Sequence, residues 1–186
     1  MAIAYKLQNL VTAEELFSMP PSEHFELVRG ELKEQMPTGD SHGAKTAWLS
    51  AHISIFVYSQ NLGDCFAAET GFLLSRDPDT VLAPDFAFVS HARFTSARSG
   101  GYVRAIPDLV LETRSPNDRR KSVQDKVDEW LNAGVSIVLE LNPARQILSV
   151  YRPNADPLEL GPEDIFNGAD ILPGFTLALK PLWQTE

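Results

Sequence analysis

The chain has 186 residues, 44% hydrophobic and 22% charged, with a formal net charge of −9. This length fits one main domain, which buries roughly 70% of its unfolded surface and so needs no disulfides. The single cysteine, Cys65, excludes an internal disulfide and a cysteine metal cluster. No apolar run reaches the roughly 18 residues of a membrane span, and the N-terminus does not read as a secretory signal, so a cytoplasmic protein is the simplest interpretation.

The acidic balance counts against a general nucleic-acid binder, but the charge is unevenly distributed. The segment 114–126 holds five cations and two anions, a net of +3, so the remainder carries −12. Two interpretations stay open for this basic segment: a solvated helix start, or a cationic surface beside a functional site.

The N-terminal part predicts a helix followed by a hairpin. Thr12 and Glu15 have the spacing of a capping box, and Met19-Pro20-Pro21 ends the helix. Residues 24–36 contain two short strands around Arg29-Gly30, a suitable tight turn. We therefore expect an N-terminal helical appendage over 1–23 and a main domain over 24–186.

The middle of the chain predicts a long helix and then strands. Residues 41–58 carry apolar side chains every three or four positions: Ala44, Trp48, Ala51, Ile55 and Tyr58. Residues 64–75 and 82–90 each read as a strand, separated by a turn at 76–79.

The second half continues with strands around another helix. Residues 106–113 read as a strand buried on both faces, and residues 115–118 form a turn that can cap a helix running to Gly134. Strands are expected at 136–141 and 146–152, and a last turn and strand at 171–179. Strands flanked by two long helices indicate an α/β or α+β sheet with helices on its faces.

Two carboxylates stand out on the predicted strands. Asp85 follows Pro84 at the start of one strand, and Glu112 and Arg114 share a face near the end of another. If the two strands pair, Asp85 and Glu112 can converge on one hard cation such as magnesium or manganese. Such an ion would polarise a phosphate, and a nearby Lys or Arg would stabilise the charge developing on it.

Lys126 is a second candidate cation, on the predicted helix that follows. It lies at one edge of the apolar stripe that contains Val123, Val127 and Trp130. One interpretation is a surface lysine whose stem covers apolar neighbours, and the other is a cation that reaches the strand end.

The pair Pro84-Asp85 and Glu112-Thr113-Arg114 resembles the bipartite motif of the PD-(D/E)XK nuclease superfamily. A longer set of segments is similar to the Uma-type family of restriction endonucleases, in order and spacing from about residue 24 to 182: Gly30-Glu31-Leu32, Met36-Pro37, His42-Gly43, Gly71-Phe72, residues 107–118, Lys126, Trp130, Gly134-Val135, Asn142-Pro143, Val150-Tyr151-Arg152 and Leu172-Pro173-Gly174-Phe175.

The resemblance implies a restriction-endonuclease-like core with a mixed central sheet between helices, and dependence on magnesium or manganese. It points to Asp85 and Glu112 as metal ligands, with the Thr113 carbonyl as a third, and to Glu31 as a further carboxylate candidate. The superfamily motif has lysine where this chain has Arg114, whose planar fork does not replace an ammonium group, so the lysine role can pass to Lys126.

The expected function is therefore a metal-dependent endonuclease that cleaves DNA phosphodiester bonds as a homodimer, with no membrane partner. The alternative is a nuclease-fold binding or regulatory protein with little or no cleavage, which the acidic balance and Arg114 favour. Two other polar residues have simpler interpretations: His42 is a helix-start residue or a site-lining one, and Asp108 is expected to be structural.

Overall fold

The computed structural model describes residues 10–20, 25–35, 39–94, 100–115, 118 and 120–184. Its elements follow in chain order: α1 Ala13–Phe17, β1 Phe25–Val28, β2 Glu31–Glu34, α2 Asp40–Ser59, β3 Gly63–Ala67, β4 Phe72–Ser75, β5 Thr80–Leu82, β6 Phe86–Ser90, β7 Leu109–Thr113, α3 Arg120–Asn132, β8 Ile137–Asn142, β9 Ile147–Tyr151, β10 Leu158–Leu160, β11 Ile165–Asn167, β12 Thr176–Ala178 and α4 Lys180–Gln184.

A mixed six-stranded sheet in the order β10-β9-β8-β7-β6-β3 forms the centre of the protein. Within it β7 and β8 run parallel, and the other neighbours are antiparallel. The helix α3 makes the crossover that a parallel pair requires. The fold class expected from the sequence is thereby confirmed.

The two faces of this sheet bury different helices because strand side chains alternate. Leu109 and Leu111 of β7 belong to the core cluster that includes Leu49, Ile53 and Val57 of α2. Val110, between them, belongs to a second cluster with Val127 and Trp130 of α3. Residues 109–111 are fully buried, as the apolar run predicted.

A second, antiparallel sheet in the order β2-β1-β5-β4 carries the N-terminal hairpin. Val28 pairs with Glu31 across the turn, and Arg29 and Gly30 have φ angles of 52° and 80°, which suits a two-residue hairpin loop. The turn prediction is confirmed, while His24 and Met36, the ends of the predicted hairpin, lie outside the described residues. The capping box of α1 is also present, and α1 packs Ala13 and Leu16 into the cluster of Leu27.

Two strand predictions were wrong in extent. The segment 64–75 contains two strands in different sheets, since a turn with Glu69 at φ 66° separates β3 from β4. The segment 82–90 also divides, because residues 83–85 carry the chain from β5 in the small sheet to β6 in the large one. Asp85 therefore lies where the two sheets meet.

The apolar spacing noted along α2 does not coincide with its buried face. Ile55 and Tyr58 are exposed, and the buried positions are His42, Lys45, Leu49, Ile53 and Val57. Two stripes with helical spacing run along this helix, and periodicity alone cannot tell which one packs on the sheet. The strands β10 and β11 and the helix α4 were not anticipated, because they are only three to five residues long.

Candidate active site

The pairing of β6 with β7 brings the two predicted carboxylates to the same end of the large sheet. Phe86 pairs with Leu111, so Asp85 and Glu112 occupy the next positions in the same direction. The backbone N–H of Thr113 donates to Asp85 Oδ2 at 2.7 Å. This bond holds the carboxylate against the end of β7.

His42, near the start of α2, faces the same carboxylate. Its Nε2 lies 3.4 Å from Asp85 Oδ2, and the imidazole is 8% exposed. Burial lowers the pKa of His42, but the hydrogen bond and charge of Asp85 and a hydrogen bond to the Thr113 backbone outweigh it, so the pKa is raised. His42 therefore carries positive charge beside Asp85 over a wider pH range than an exposed histidine would.

Glu112 is held by two donors from α3. The indole Nε1–H of Trp130 donates to Oε1 at 2.8 Å, and the ammonium Nζ of Lys126 lies 3.0 Å from Oε2. Both donors lie on the helix that follows β7, so the crossover connection fixes the orientation of the carboxylate. Lys126 thus lies directly beside the Glu112 carboxylate, and its side chain is 23% exposed.

A third carboxylate, Glu26 on β1, completes the cluster. Its Oε1 lies 3.0 Å from Lys126 Nζ and accepts the backbone N–H of Ala83 at 2.8 Å. The side-chain amide of Gln35 donates to Oε2. The side chain is 5% exposed, so this carboxylate is buried among its partners.

Burial and neighbouring charges perturb the pKa of Glu112 strongly. Burial is the largest cause that raises its pKa, the charges of Glu26 and Asp85 raise it further, and Lys126 lowers it, which leaves the pKa at about 7. The pKa of Lys126 is raised, because the two neighbouring glutamates outweigh the effect of burial. A buried carboxyl group with such a pKa beside a fixed charge partner is typical of functional sites.

Two sequence-based candidates lie apart from this cluster. Arg114 Nη1 lies 3.6 Å from Glu140 Oε1, and Nη2 donates to the Asp118 carbonyl at 3.2 Å. Tyr151 Oη donates to the other oxygen of Glu140 at 2.7 Å. Glu31 has a half-exposed side chain that pairs with Lys33 at 2.8 Å. Both candidates line the cleft.

Sequence reasoning missed Glu26 and the donor role of Trp130. Glu26 lies between Phe25 and Leu27 on a strand. Because strand side chains alternate between two faces, a polar residue between two apolar ones does not by itself indicate a functional site. Trp130 was assigned to the core, where its ring does pack near Phe72, and only the structure gives the direction of its N–H. Asp108 accepts the Ser90 backbone N–H and pairs with Arg93, in agreement with the structural role predicted for it.

The cluster lies in a cleft of about 1210 Å³ between the hairpin and α3. Nine Asp or Glu residues line this cleft, against four Lys or Arg. At the cleft mouth Arg29 Nη2 lies 2.7 Å from Glu129 Oε1, which links the hairpin turn to α3. Such a lining attracts cations and repels phosphate groups unless positive charge is added.

The donor set fits a hard divalent cation. Glu26, Asp85 and Glu112 place three carboxylates against one lysine and one histidine, so the site has negative charge to spare. Within the described ranges no three His, Cys, Asp or Glu side chains form a group that could hold a metal ion. Two carboxylates, such as those of Asp85 and Glu112, are enough for a magnesium site in which water and substrate oxygens supply the other ligands.

The mixed sheet and the carboxylate cluster together define a nuclease-like α+β protein. The model of the Uma2 family, described as "Putative restriction endonuclease", matches residues 13–180, and the chain belongs to this family. The resemblance seen in the sequence motifs is confirmed.

A solved structure supports the same fold. It is the crystal structure of a "putative nuclease belonging to DUF820" from Anabaena variabilis ATCC 29413, with a TM-score of 0.80 and 19% identity, over 94% of this chain and 98% of that one. At this identity the likeness shows the fold alone. Among curated proteins no match was found. None of the helices in the described part of the chain combines the length and apolar character needed to cross a bilayer.

Proposed function

We propose that this protein is a divalent-metal-dependent endonuclease that hydrolyses DNA phosphodiester bonds. The single observation that carries the proposal is the meeting of Asp85, just before β6, and Glu112, on β7, in one cleft, with Lys126 beside Glu112. Family membership supports the nuclease class.

Each residue of the cluster has a distinct task in this proposal. Asp85 and Glu112 supply carboxylate oxygens, and Thr113 orients Asp85 through its N–H and offers its carbonyl as a further ligand. When bound, magnesium or manganese polarises the scissile phosphate and lowers the pKa of a coordinated water. Lys126 stabilises negative charge that develops on the phosphate, and His42 holds a proton beside Asp85.

DNA reaches the cleft past the basic start of α3. Arg120 and Lys121 are exposed there, and they compensate locally for the acidic lining. A homodimer would present one such site to each strand of a duplex. The family resemblance supports the homodimer, and the exposed cations at the start of α3 support this path for DNA.

Incubation of supercoiled plasmid with the purified protein tests the proposed activity. We expect nicked and then linear DNA with magnesium or manganese, and none with a chelator or with calcium alone. If duplex, single-stranded and branched DNA all remain uncleaved at saturating manganese, the proposal is contradicted.

Metal binding should depend on pH in a defined direction. Below a pKa of about 7 the Glu112 carboxyl is protonated, so manganese must displace a proton to bind. We therefore expect the affinity to fall as the pH decreases from 8 to 6, by up to about tenfold per unit. Calorimetric titration in two buffers of different ionisation enthalpy measures both affinity and proton release. Glu112→Ala should lose both signals, and a pH-independent affinity in the parent protein would contradict the expectation.

A second function has a specific observation in its favour. Arg114, at the lysine position of the superfamily motif, contacts Glu140 rather than Glu112. A nuclease-fold binding or regulatory protein without robust cleavage would tolerate this arrangement. Manganese binding by calorimetry without nicking on any substrate would favour this second function.

A further inference from the structure

Glu26 is a buried carboxylate that the two-carboxylate metal site does not require. It lies on β1, in the smaller sheet, whereas Glu112 and Lys126 belong to the βα unit of the larger sheet. Its partners are the Ala83 N–H, the Gln35 amide and the Lys126 ammonium. A buried carboxylate lowers the stability of the fold when it loses the partners that compensate its charge.

The position of the Lys126 ammonium, between two glutamates, indicates what Glu26 does. The ammonium lies 3.0 Å from one oxygen of Glu26 and 3.0 Å from one oxygen of Glu112, so the two glutamates share it. When Glu112 directs oxygen lone pairs toward a divalent cation, its attraction for the ammonium falls and the new cation repels the ammonium. Glu26 keeps its charge free for Lys126, since its other partners are neutral hydrogen-bond donors.

We propose that Glu26 is the positioning residue that keeps Lys126 beside the scissile phosphate while Glu112 serves the metal ion. The consequence for reactivity rests on the proposed nuclease function, whereas the anchoring of Lys126 does not. The hairpin thereby controls the position of a cation that α3 carries. The Arg29–Glu129 pair joins the same two elements nearer the solvent.

The anchoring is tested first without metal or substrate, by the rate at which hydroxyl radicals oxidise the side chain of Lys126, read by mass spectrometry; this rate follows solvent exposure and does not require a deprotonated amine. Glu112→Gln removes the charge that a bound cation would engage, and Lys126 should stay within about twofold of its parental rate. Adding Glu26→Gln should raise the rate at least about fivefold, because an unanchored lysine turns its ammonium toward water. Lys180, which is exposed, is the internal reference in every sample.

The result for Glu112→Gln decides whether Glu26 or Glu112 holds Lys126 in place. A modification rate of Lys126 that already rises at least about fivefold in Glu112→Gln alone would overturn the proposal. A double variant in which this rate stays near the parental value would overturn it as well. Glu159→Gln is the matched control, since this strand carboxylate pairs with Arg145 away from the cleft. Circular dichroism and thermal melts confirm that each compared variant is folded.

Kinetics supply the functional readout. In an active enzyme Glu26→Gln should lower kcat by about 10- to 100-fold, while KM for DNA and half-saturation by magnesium change less than about threefold. Glu26→Asp should recover part of kcat, because a carboxylate is kept. Equal losses in Glu26→Asp and Glu26→Gln, with a weakened metal affinity, would instead identify a structural role and overturn the proposal. If no variant or parent cleaves DNA but Lys126 follows the expected labelling, the proposed function fails and the anchoring stands.

Discussion

Asp85→Asn is expected to reduce plasmid nicking by at least about 100-fold while the protein stays folded. The substituted amide oxygen can still accept the Thr113 N–H, which donates to Asp85 Oδ2 at 2.7 Å. The substitution removes the negative charge that a divalent cation requires. Initial rates at several magnesium concentrations measure the loss and show whether excess metal restores activity.

The comparison with Asp85→Ala separates charge from structure. Alanine leaves the Thr113 N–H without its acceptor, which should lower the free energy of unfolding by about 1–3 kcal/mol. Asp156→Asn, at an exposed position outside the cleft, is the matched control and should nick DNA at the parental rate. Nicking by Asp85→Asn at a rate near that of the parent would exclude Asp85 as a metal ligand.

Lys126→Met is expected to lower the free energy of unfolding by about 3–5 kcal/mol at pH 8. Methionine fills a similar volume, but it leaves Glu26 and Glu112 as neighbouring buried carboxylates without a counter-charge. Cleavage should also be lost, because the variant has no ammonium group beside the phosphate. Urea denaturation followed by far-UV circular dichroism measures the stability change.

The loss of unfolding free energy caused by Lys126→Met should become smaller as the pH falls. Without the ammonium, burial and the charge of Glu26 raise the pKa of Glu112 in the folded variant further above the ordinary value of the unfolded chain. The folded variant then binds more protons than the unfolded one, so its stability increases as the pH decreases toward 5. Lys180→Met, which removes an exposed partner of Glu163, should change stability by less than about 0.5 kcal/mol at either pH. A loss in Lys126→Met that is the same at pH 5 and pH 8 would show that packing, not charge, accounts for it.

Local patterns were sufficient for much of the secondary structure. The capping box at Thr12 and Glu15, the Arg29-Gly30 turn and the buried strand before Arg114 each depend on neighbours within a few residues. They were predictable because helix capping, turn geometry and burial on both faces each require particular residue types at nearby positions. The breaks within 64–75 and 82–90 were not, since each half has the apolar character of a strand and only the separate sheets distinguish them.

The motif also carried information about the site, up to a point. It placed Asp85, Glu112, Thr113 and Lys126 among the candidates, and the structure brings these residues into one cleft. Their roles in metal binding and catalysis remain the proposals that the experiments above test. Arg114 and Glu31 also follow from the sequence motifs, and the structure pairs Arg114 with Glu140 and Glu31 with Lys33.

Residue patterns and the family resemblance were enough to predict the nuclease-like class, the hairpin, the two long helices and the two carboxylates of Asp85 and Glu112. The folded structure was needed to show that Glu26 is a hairpin carboxylate beside Lys126, and that the Trp130 N–H and the Lys126 ammonium face Glu112. The reason is that strand and helix periodicities tell which residues share a face, whereas contacts between separate sheets depend on how distant segments pack. Glu26 and Lys126 are 100 positions apart in the chain and 3.0 Å apart in the folded protein.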